Sequence, residues 1–253
     1  MKASDTALGA PVIIGPGRVG QSLAAAGRQA GLEVELRGRS EGLEGLAGRT
    51  VLLCVPDAAI VSLADRIGNS GPAPAMIGHT SGATPLSVLA GSGADGLFSV
   101  HPLQTVPDGA TDLSGSPAAV AGNTSQALEV ARQLATIAGM RSFAISEDDR
   151  ATYHAAASIA SNFLVTIEQT AAELLGGIAV ENPREVLEPL VRRSLDNWIE
   201  RGADALTGPI ARRDETTVEA HRRALSEIRP DLLGFYDALA GRTRDIAVGK
   251  GPA

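Results

Sequence analysis

Three observations predict an α/β fold: an open, mostly parallel sheet wound on both faces by helices, with an all-helical domain after it. Short apolar runs alternate with helical stretches through the first half of the 253-residue chain. A glycine-rich turn joins the first apolar run to the first helix. No strand pattern is evident after Ser146. Alternation of this kind requires crossover helices between parallel strands, the doubly wound arrangement.

Residues 11–15 read as a strand and 18–30 as a helix. Strands over 33–37 and 50–55 follow, then a helix over 58–67 and short strands over 75–78 and 97–100. A strand over 118–121, a helix over 125–138 and a strand over 141–145 continue the pattern. Ser146-Glu147-Asp148-Asp149 resembles a capping box with acids in the first turn, and opens a long helix to about Leu175 that Gly176-Gly177 ends. Asn182, Pro183 and Glu185 supply an N-cap, a first-turn proline and a second box. Pro189 inside this helix is expected to kink or restart it, and Gly202 to close it. Asp214 caps a third helix that Pro230 ends, and a fourth starts near Asp231. The change of character predicts a sheet domain over 1–146 and a helical domain over 147–253.

Composition narrows the function. Hydrophobic residues at 44% and charged residues at 20% belong to a globular chain. No apolar run reaches the about 18 residues of a membrane span. The first ten residues lack a signal-peptide layout, so the expectation is a cytoplasmic protein. A net charge of −7 without a basic block argues against nucleic acid as a partner. Cys54, the single cysteine, lies in an apolar run and reads as buried and inert; a disulfide framework and a cysteine-rich zinc site are excluded. The lysines are Lys2 and Lys250, at the chain ends, which disfavours a Schiff base, a P-loop or a lysine acid.

Gly15-Pro16-Gly17-Arg18-Val19-Gly20 matches G-x-G-x-x-G between a strand and a helix. Gly15 allows the turn, Gly17 a close approach of backbone to pyrophosphate, and Gly20 close packing of helix on strand. The helix N-terminus then offers N–H groups and a positive dipole end, although Pro16 donates none. This context predicts a Rossmann-type dinucleotide site rather than a tight turn alone. The second strand ends in Arg37-Gly38-Arg39-Ser40, without an acid to hold ribose hydroxyls. Arg39 and Ser40 suit a 2′-phosphate, so NADP is predicted over NAD; the alternative is a solvated edge of Arg37 and Arg39. Val55, at the end of the next strand, and Pro56 after it complete the expected cofactor lining with His79 and Ser81.

The chain has four histidines, His79, His101, His154 and His221. His79 and His101 directly follow predicted strands, where open α/β sheets bind ligands. Gln104 follows His101 closely and is a candidate substrate contact. His154, Ser158, Ser161 and Asn162 fall on one face of the long helix, which fronts a polar cleft or water. Tyr153 is expected to point elsewhere. Arg212, between helices, could grip a substrate carboxylate. Asp214 reads as a helix cap and His221 as a surface or packing residue.

Together these stretches resemble a bacterial two-domain family with a Rossmann-like N-terminal half and a C-terminal helical domain of unknown function (DUF2520). It is similar in layout to pyrroline-5-carboxylate reductase, ketopantoate reductase and 6-phosphogluconate dehydrogenase. The resemblance rests on Gly15 to Gly20, His79-Thr80-Ser81-Gly82, His101-Pro102-Leu103-Gln104-Thr105, Tyr153-His154 through Ser161-Asn162, and Leu206-Thr207-Gly208-Pro209 with Arg212 and Asp214. It implies NADP-dependent reduction, of a small keto acid such as ketopantoate, and a homodimer built through the helical domain. In 6-phosphogluconate dehydrogenase-like enzymes the first long helix carries a catalytic lysine with an asparagine four residues on. Asn162 fits that asparagine, but Ser158 stands at the lysine.

The expected chemistry is therefore hydride transfer to a carbonyl or imine carbon, with a protein side chain supplying the proton. With no core lysine, His154 is the first donor and His101 the second, with Ser158 and Asn162 orienting the oxygen. The alternatives are a dinucleotide sensor without turnover, and an oligomeric scaffold with a vestigial Rossmann half.

Overall fold

The computed structural model describes residues 8–249; Lys2 and Lys250 lie outside them. The chain falls into two compact units, 1–162 and 163–253.

The first unit is built on a seven-stranded sheet of order β2-β1-β3-β4-β5-β6-β7. Its strands are β1 (Val12–Ile14), β2 (Glu35–Arg37), β3 (Thr50–Leu53), β4 (Met76–His79), β5 (Gly96–Pro102), β6 (Pro117–Gly122) and β7 (Arg141–Ala144). Every neighbouring pair is parallel except β5 and β6, which run antiparallel. Helices α1 (Arg18–Gln29), α2 (Asp57–Asn69) and α3 (Ser125–Ile137) make the connections, with a 3-10 helix over Leu86–Ser92 that the sequence did not announce.

Strand alternation sends successive side chains to opposite faces, and here both faces are buried. Ile13, Leu52, Met76, Phe98 and Val100 join Leu23, Ala24, Ala127 and Val130 in one core. Val12, Ile14, Val51, Leu53 and Ile77 join Ile60, Leu63, Ile67 and Leu89 in the other. The fold is thus the Rossmann-type doubly wound sheet, and strand order reverses at β1 and β3, the place where such sheets bind ligands.

Two strand ends differ from expectation. His79 is the last residue of β4 rather than the residue after it. β5 runs to Pro102 because its antiparallel ladder pairs His101 with Ala119 and Pro102 with Ala118. Both histidines therefore sit on rigid strand ends.

Helix α4 (Arg150–Ser158) leads through a π-helical turn (Ile159–Phe163) into α5 (Leu164–Gly177). The expected domain boundary near 146 precedes α4, whereas α4 clusters with the sheet because buried Arg150 bonds to residues of β5 and of the loop after β4. The Ser146 box forms: its Oγ accepts from the Asp149 N–H at 3.1 Å, ahead of the regular helix.

The second unit holds α5, α6 (Pro183–Arg201), α7 (Glu215–Ile228) and α8 (Leu233–Val248). α6 continues through Pro189 without restarting. Asn182 has φ of +50° and makes no side-chain cap, so the second box does not form; its carbonyl instead accepts the Val186 N–H. Asp214 does cap α7, accepting from the Thr217 N–H at 3.1 Å and from its hydroxyl at 2.7 Å. No helix among the described residues is long and apolar enough to cross a membrane.

Candidate functional site

The glycine turn is shaped by what surrounds it. Gly15 has φ of +114°, and a Cβ there would lie 2.2 Å from the Cys54 carbonyl oxygen. Its N–H donates to the Arg37 carbonyl at 2.9 Å, which ties the turn to β2. A Cβ on Gly20 would lie 2.0 Å from the Gly15 carbonyl oxygen, so the first turn of α1 rests on the loop. Gly17 is different: a Cβ there meets nothing within 4 Å. It opens α1 with no side-chain cap and no acid in the first turn. Backbone N–H groups and a positive helix end therefore face open space, the arrangement that accepts a phosphate. Pro16 and Arg18 are exposed beside it and Val19 is half-buried. Gln21 holds the loop by donating from Nε2 to the Pro16 carbonyl at 2.9 Å. Val55 approaches the turn from the loop after β3, and Pro56 is exposed at the N-cap of α2.

At the end of β2 the two arginines separate in role. Arg37 is committed to structure, donating to Glu35 at 2.6 Å and to the carbonyls of Gly42 and Glu44. Arg37 and Arg49 hold the Glu35 carboxyl below its ordinary range, so this acid is spent in ion pairs. Arg39 and Ser40 are exposed. Glu41, which sequence reasoning passed over, accepts the Gly38 N–H. Its carboxylate is thereby held against the backbone that leads from Arg37 to Arg39.

Beyond the switch point, the ends of β4 and β5 gather polar side chains against α4. Arg150 is only 2% exposed. It donates to Glu147 at 2.6 and 3.0 Å and to the Ser99 hydroxyl at 2.9 Å. The other Glu147 oxygen accepts the Leu86 N–H at 2.7 Å. An arginine with this little solvent is tolerable because its charge is paired and its donors are used. It fixes α4 against the sheet.

One turn further along α4, the Tyr153 hydroxyl and His101 Nδ1 are 2.6 Å apart. Their rings meet edge to face at 85°. The His154 ring lies 6.2 Å from that of His101. A Cβ on Gly82 would come within 2.8 Å of His154 and 2.9 Å of His101, so glycine is what lets the two rings converge. Phe143 of β7 packs edge-on against Tyr153 at 5.9 Å.

Tyr153 therefore points into the cluster, contrary to the reading of the helix face. The inward face of α4 is Arg150, Tyr153, His154, Ala157 and Ser158, at spacings of three and four. Arg150 was the missing signal, since it shares a face with Tyr153 three residues on. Ser158 and Ser161 are half-buried, but Asn162 is exposed, in the π turn that breaks the 3.6-residue spacing on which the stripe depended.

Burial sets the protonation of the cluster. It pushes His101 down to about 4, assisted by His154 and Arg150 against Asp57. It pushes Tyr153 up to about 12, against the pull of Arg150. At neutral pH both are uncharged, so His101 is no imidazolium donor there. Cys54 is half-buried rather than fully enclosed as expected, and desolvation still takes its thiol up to about 12, which makes it inert.

His79 is fully enclosed, and burial lowers it to about 4. Ser81, 6% exposed, donates to Asp57 at 2.7 Å and meets Thr84 at 2.8 Å. These two expected cofactor contacts form the wall behind the site and show almost no surface. Gln104 staples its own loop, donating to the Asp112 carbonyl and accepting from Ser116. Arg212 is exposed on the helical unit, where His221 Nδ1 meets the Tyr236 hydroxyl at 2.9 Å.

The model of the DUF2520 family, a domain of unknown function, matches residues 116–243, about half the chain. No curated protein matches the sequence. Among solved structures, BF3122 of Bacteroides fragilis, a candidate NADP oxidoreductase, is 22% identical, with 95% of this chain and 100% of that one covered and a TM-score of 0.77. Protein TM1727 of Thermotoga maritima is 21% identical over 96% of this chain and 100% of its own, with a TM-score of 0.76. Pyrroline carboxylate reductase of Plasmodium falciparum, solved with NADP bound, is 13% identical over 94% and 98%, with a TM-score of 0.59. At these identities the likeness is one of fold.

Proposed function

The chain belongs to the DUF2520 family, and from that premise we propose that it is an NADP-dependent oxidoreductase acting on a small keto acid or imine. The observation that carries this reading is the glycine turn, closed tightly at Gly15 and Gly20 and open at Gly17 before an uncapped helix. NADP oxidoreductases among the proteins of similar fold support it.

In this reading the residues of the turn, with Val55 and Pro56, hold the pyrophosphate. Arg39 and Ser40 hold the 2′-phosphate. The adenosine half then lies toward β2, which leaves the other half on the β3 to β5 side, where His101 and His154 stand. The bound dinucleotide would supply the hydride. The chain's own task is to place the substrate and give one proton. His101 and His154 line the reacting centre and Ser158 orients the oxygen, while Gln104 stays bound within its own loop. His79 and Ser81 support the wall.

The helical unit suits a second copy as partner. α6 has no buried residue and exposes Val186, Leu190, Trp198 and Ile199, an apolar set in keeping with a homodimer. A cytoplasmic location completes the reading.

Turnover is the test. Purified protein is mixed with NADPH and a panel of 2-keto acids, ketopantoate first, and cyclic imines, and loss of the reduced dinucleotide is followed. Oxidation that depends on one of them is expected. NADPH binding with no turnover across the panel would favour the rival, an NADP(H) sensor, which the lack of a lysine in the body of the chain keeps in play.

A further inference from the structure

We infer that Tyr153 is the group that gives the proton to the substrate's oxygen or nitrogen, and that His101 resupplies it through Nδ1. The inference rests on the oxidoreductase reading above. Three features of the cluster carry it. The 2.6 Å contact joins the Tyr153 hydroxyl to a ring fixed on a strand. Tyr153 is half-buried, as are His101 and His154, so the pair keeps access to solvent, whereas Arg150 and Ser99 behind it are enclosed. Arg150 pins the helix one turn below, so the hydroxyl is held rather than mobile.

The proton inventory closes. With Nδ1–H donating to the Tyr153 oxygen, the phenolic proton is free to point outward. Reduction of a carbonyl carbon by hydride leaves an oxyanion, and Tyr153 transfers its proton to it. The Tyr153 oxygen takes the Nδ1 proton as His101 accepts one from solvent at Nε2. The imidazole stays neutral, now protonated at Nε2; loss of that proton to solvent as another is taken up at Nδ1 restores the starting tautomer before the next turnover. A neutral His101 is suited to this shuttle and unsuited to act as the acid itself. A phenol raised by burial is still acidic enough for an alkoxide and is not lost as phenolate at neutral pH. The ionisable groups around the phenol are His101, His154 and Arg150, with Asp57 reaching His101.

The two tyrosines make this testable without a known substrate. Both are replaced by 3-fluorotyrosine, whose phenol is more acidic, and each ionisation is followed by fluorine NMR, with Tyr236→Phe assigning the signals. Saturating NADP+ carries a cationic nicotinamide, whereas NADPH carries an uncharged one. If Tyr153 lies at the reacting end, NADP+ lowers its ionisation relative to NADPH by about one pH unit or more, and the Tyr236 signal does not separate the two forms. Calorimetry establishes binding independently. Both forms bound with the same Tyr153 ionisation would overturn the inference and leave the oxidoreductase reading standing. Binding of neither form would overturn that reading, and this inference with it.

Discussion

Each of the two tyrosines meets a histidine Nδ1, at 2.6 Å in the sheet unit and 2.9 Å in the helical unit, with rings close to perpendicular in both. The contacts are alike; the surroundings are not. His101 stands at the end of a strand, crowded by His154 and Gly82, with a buried arginine holding the opposing helix. His221 is exposed on α7, among ion pairs open to water such as Arg222 with Asp237 and Arg244 with Glu215. The difference teaches that a histidine–tyrosine pair gains a proton-handling role from desolvation and fixed placement. In water the same pair is a surface contact of small worth.

The sharpest way to break this comparison is to remove each hydroxyl in turn. Tyr153→Phe is expected to lower turnover by about 10²–10⁴-fold while NADPH still binds, the range for loss of a general acid. Tyr236→Phe is expected to change turnover by no more than about twofold, as for most surface substitutions. Equal losses would erase the distinction.

Acid separates the units next. Burial depresses His79 and His101 to about 4. Their folded-state values lie below the unfolded one, so the neutral forms favour the fold above pH of about 6.5 and this stability is lost as pH falls through about 4. The loss is of the order of a few kcal/mol for the pair. In the helical unit, Asp214 and Asp231 are held low by Thr217 and Arg229, so their contribution persists until pH falls below the ordinary carboxylate range. Hydrogen exchange between pH 7 and 4.5 is expected to show the sheet unit loosening first. The reverse order would contradict the account.

A smaller effect comes from the arginines. Arg150→Met removes the buried member of an ion pair whose other member, Glu147, is open to water, at a cost of about 2–3 kcal/mol. Arg222→Ala, on the exposed network, is expected to leave the melting temperature nearly unchanged. Thermal unfolding of the two variants decides it.

The smallest expected effect is on cofactor choice. Glu41→Gln removes a carboxylate held at Gly38, beside the Arg39 and Ser40 proposed for the 2′-phosphate, and the preference for NADPH over NADH is expected to rise by roughly threefold, the scale of one exposed charge contact. A fall in that preference would show Glu41 to be a ribose ligand.

The parts of the fold that were legible in the sequence are those set by local pattern. Gly15, Gly17 and Gly20 between an apolar strand and a helix define the turn by themselves, and the central strands β1, β3 and β4 announce themselves as short apolar runs. The cap at Asp214 is likewise local. What depended on pairing across the chain was not legible: the length of β5 is set by its antiparallel ladder with β6, and that moved His101 onto the strand. Tyr153 was misplaced because an arginine on a helix reads as solvent-facing, whereas Arg150 finds Ser99 and Glu147 inside and marks the inward face. The commitment of Gln104 and Ser81 to their own surroundings depends on partners, Asp112 and Asp57, that no spacing reveals.

The central claim is that the glycine turn and Arg39 hold an NADP dinucleotide. Calorimetric titration of the purified protein with NADPH and with NADH tests it most directly. The account predicts binding of NADPH in the micromolar range and of NADH at least about tenfold more weakly, a difference of about 1.4 kcal/mol. No measurable binding of either dinucleotide would contradict it.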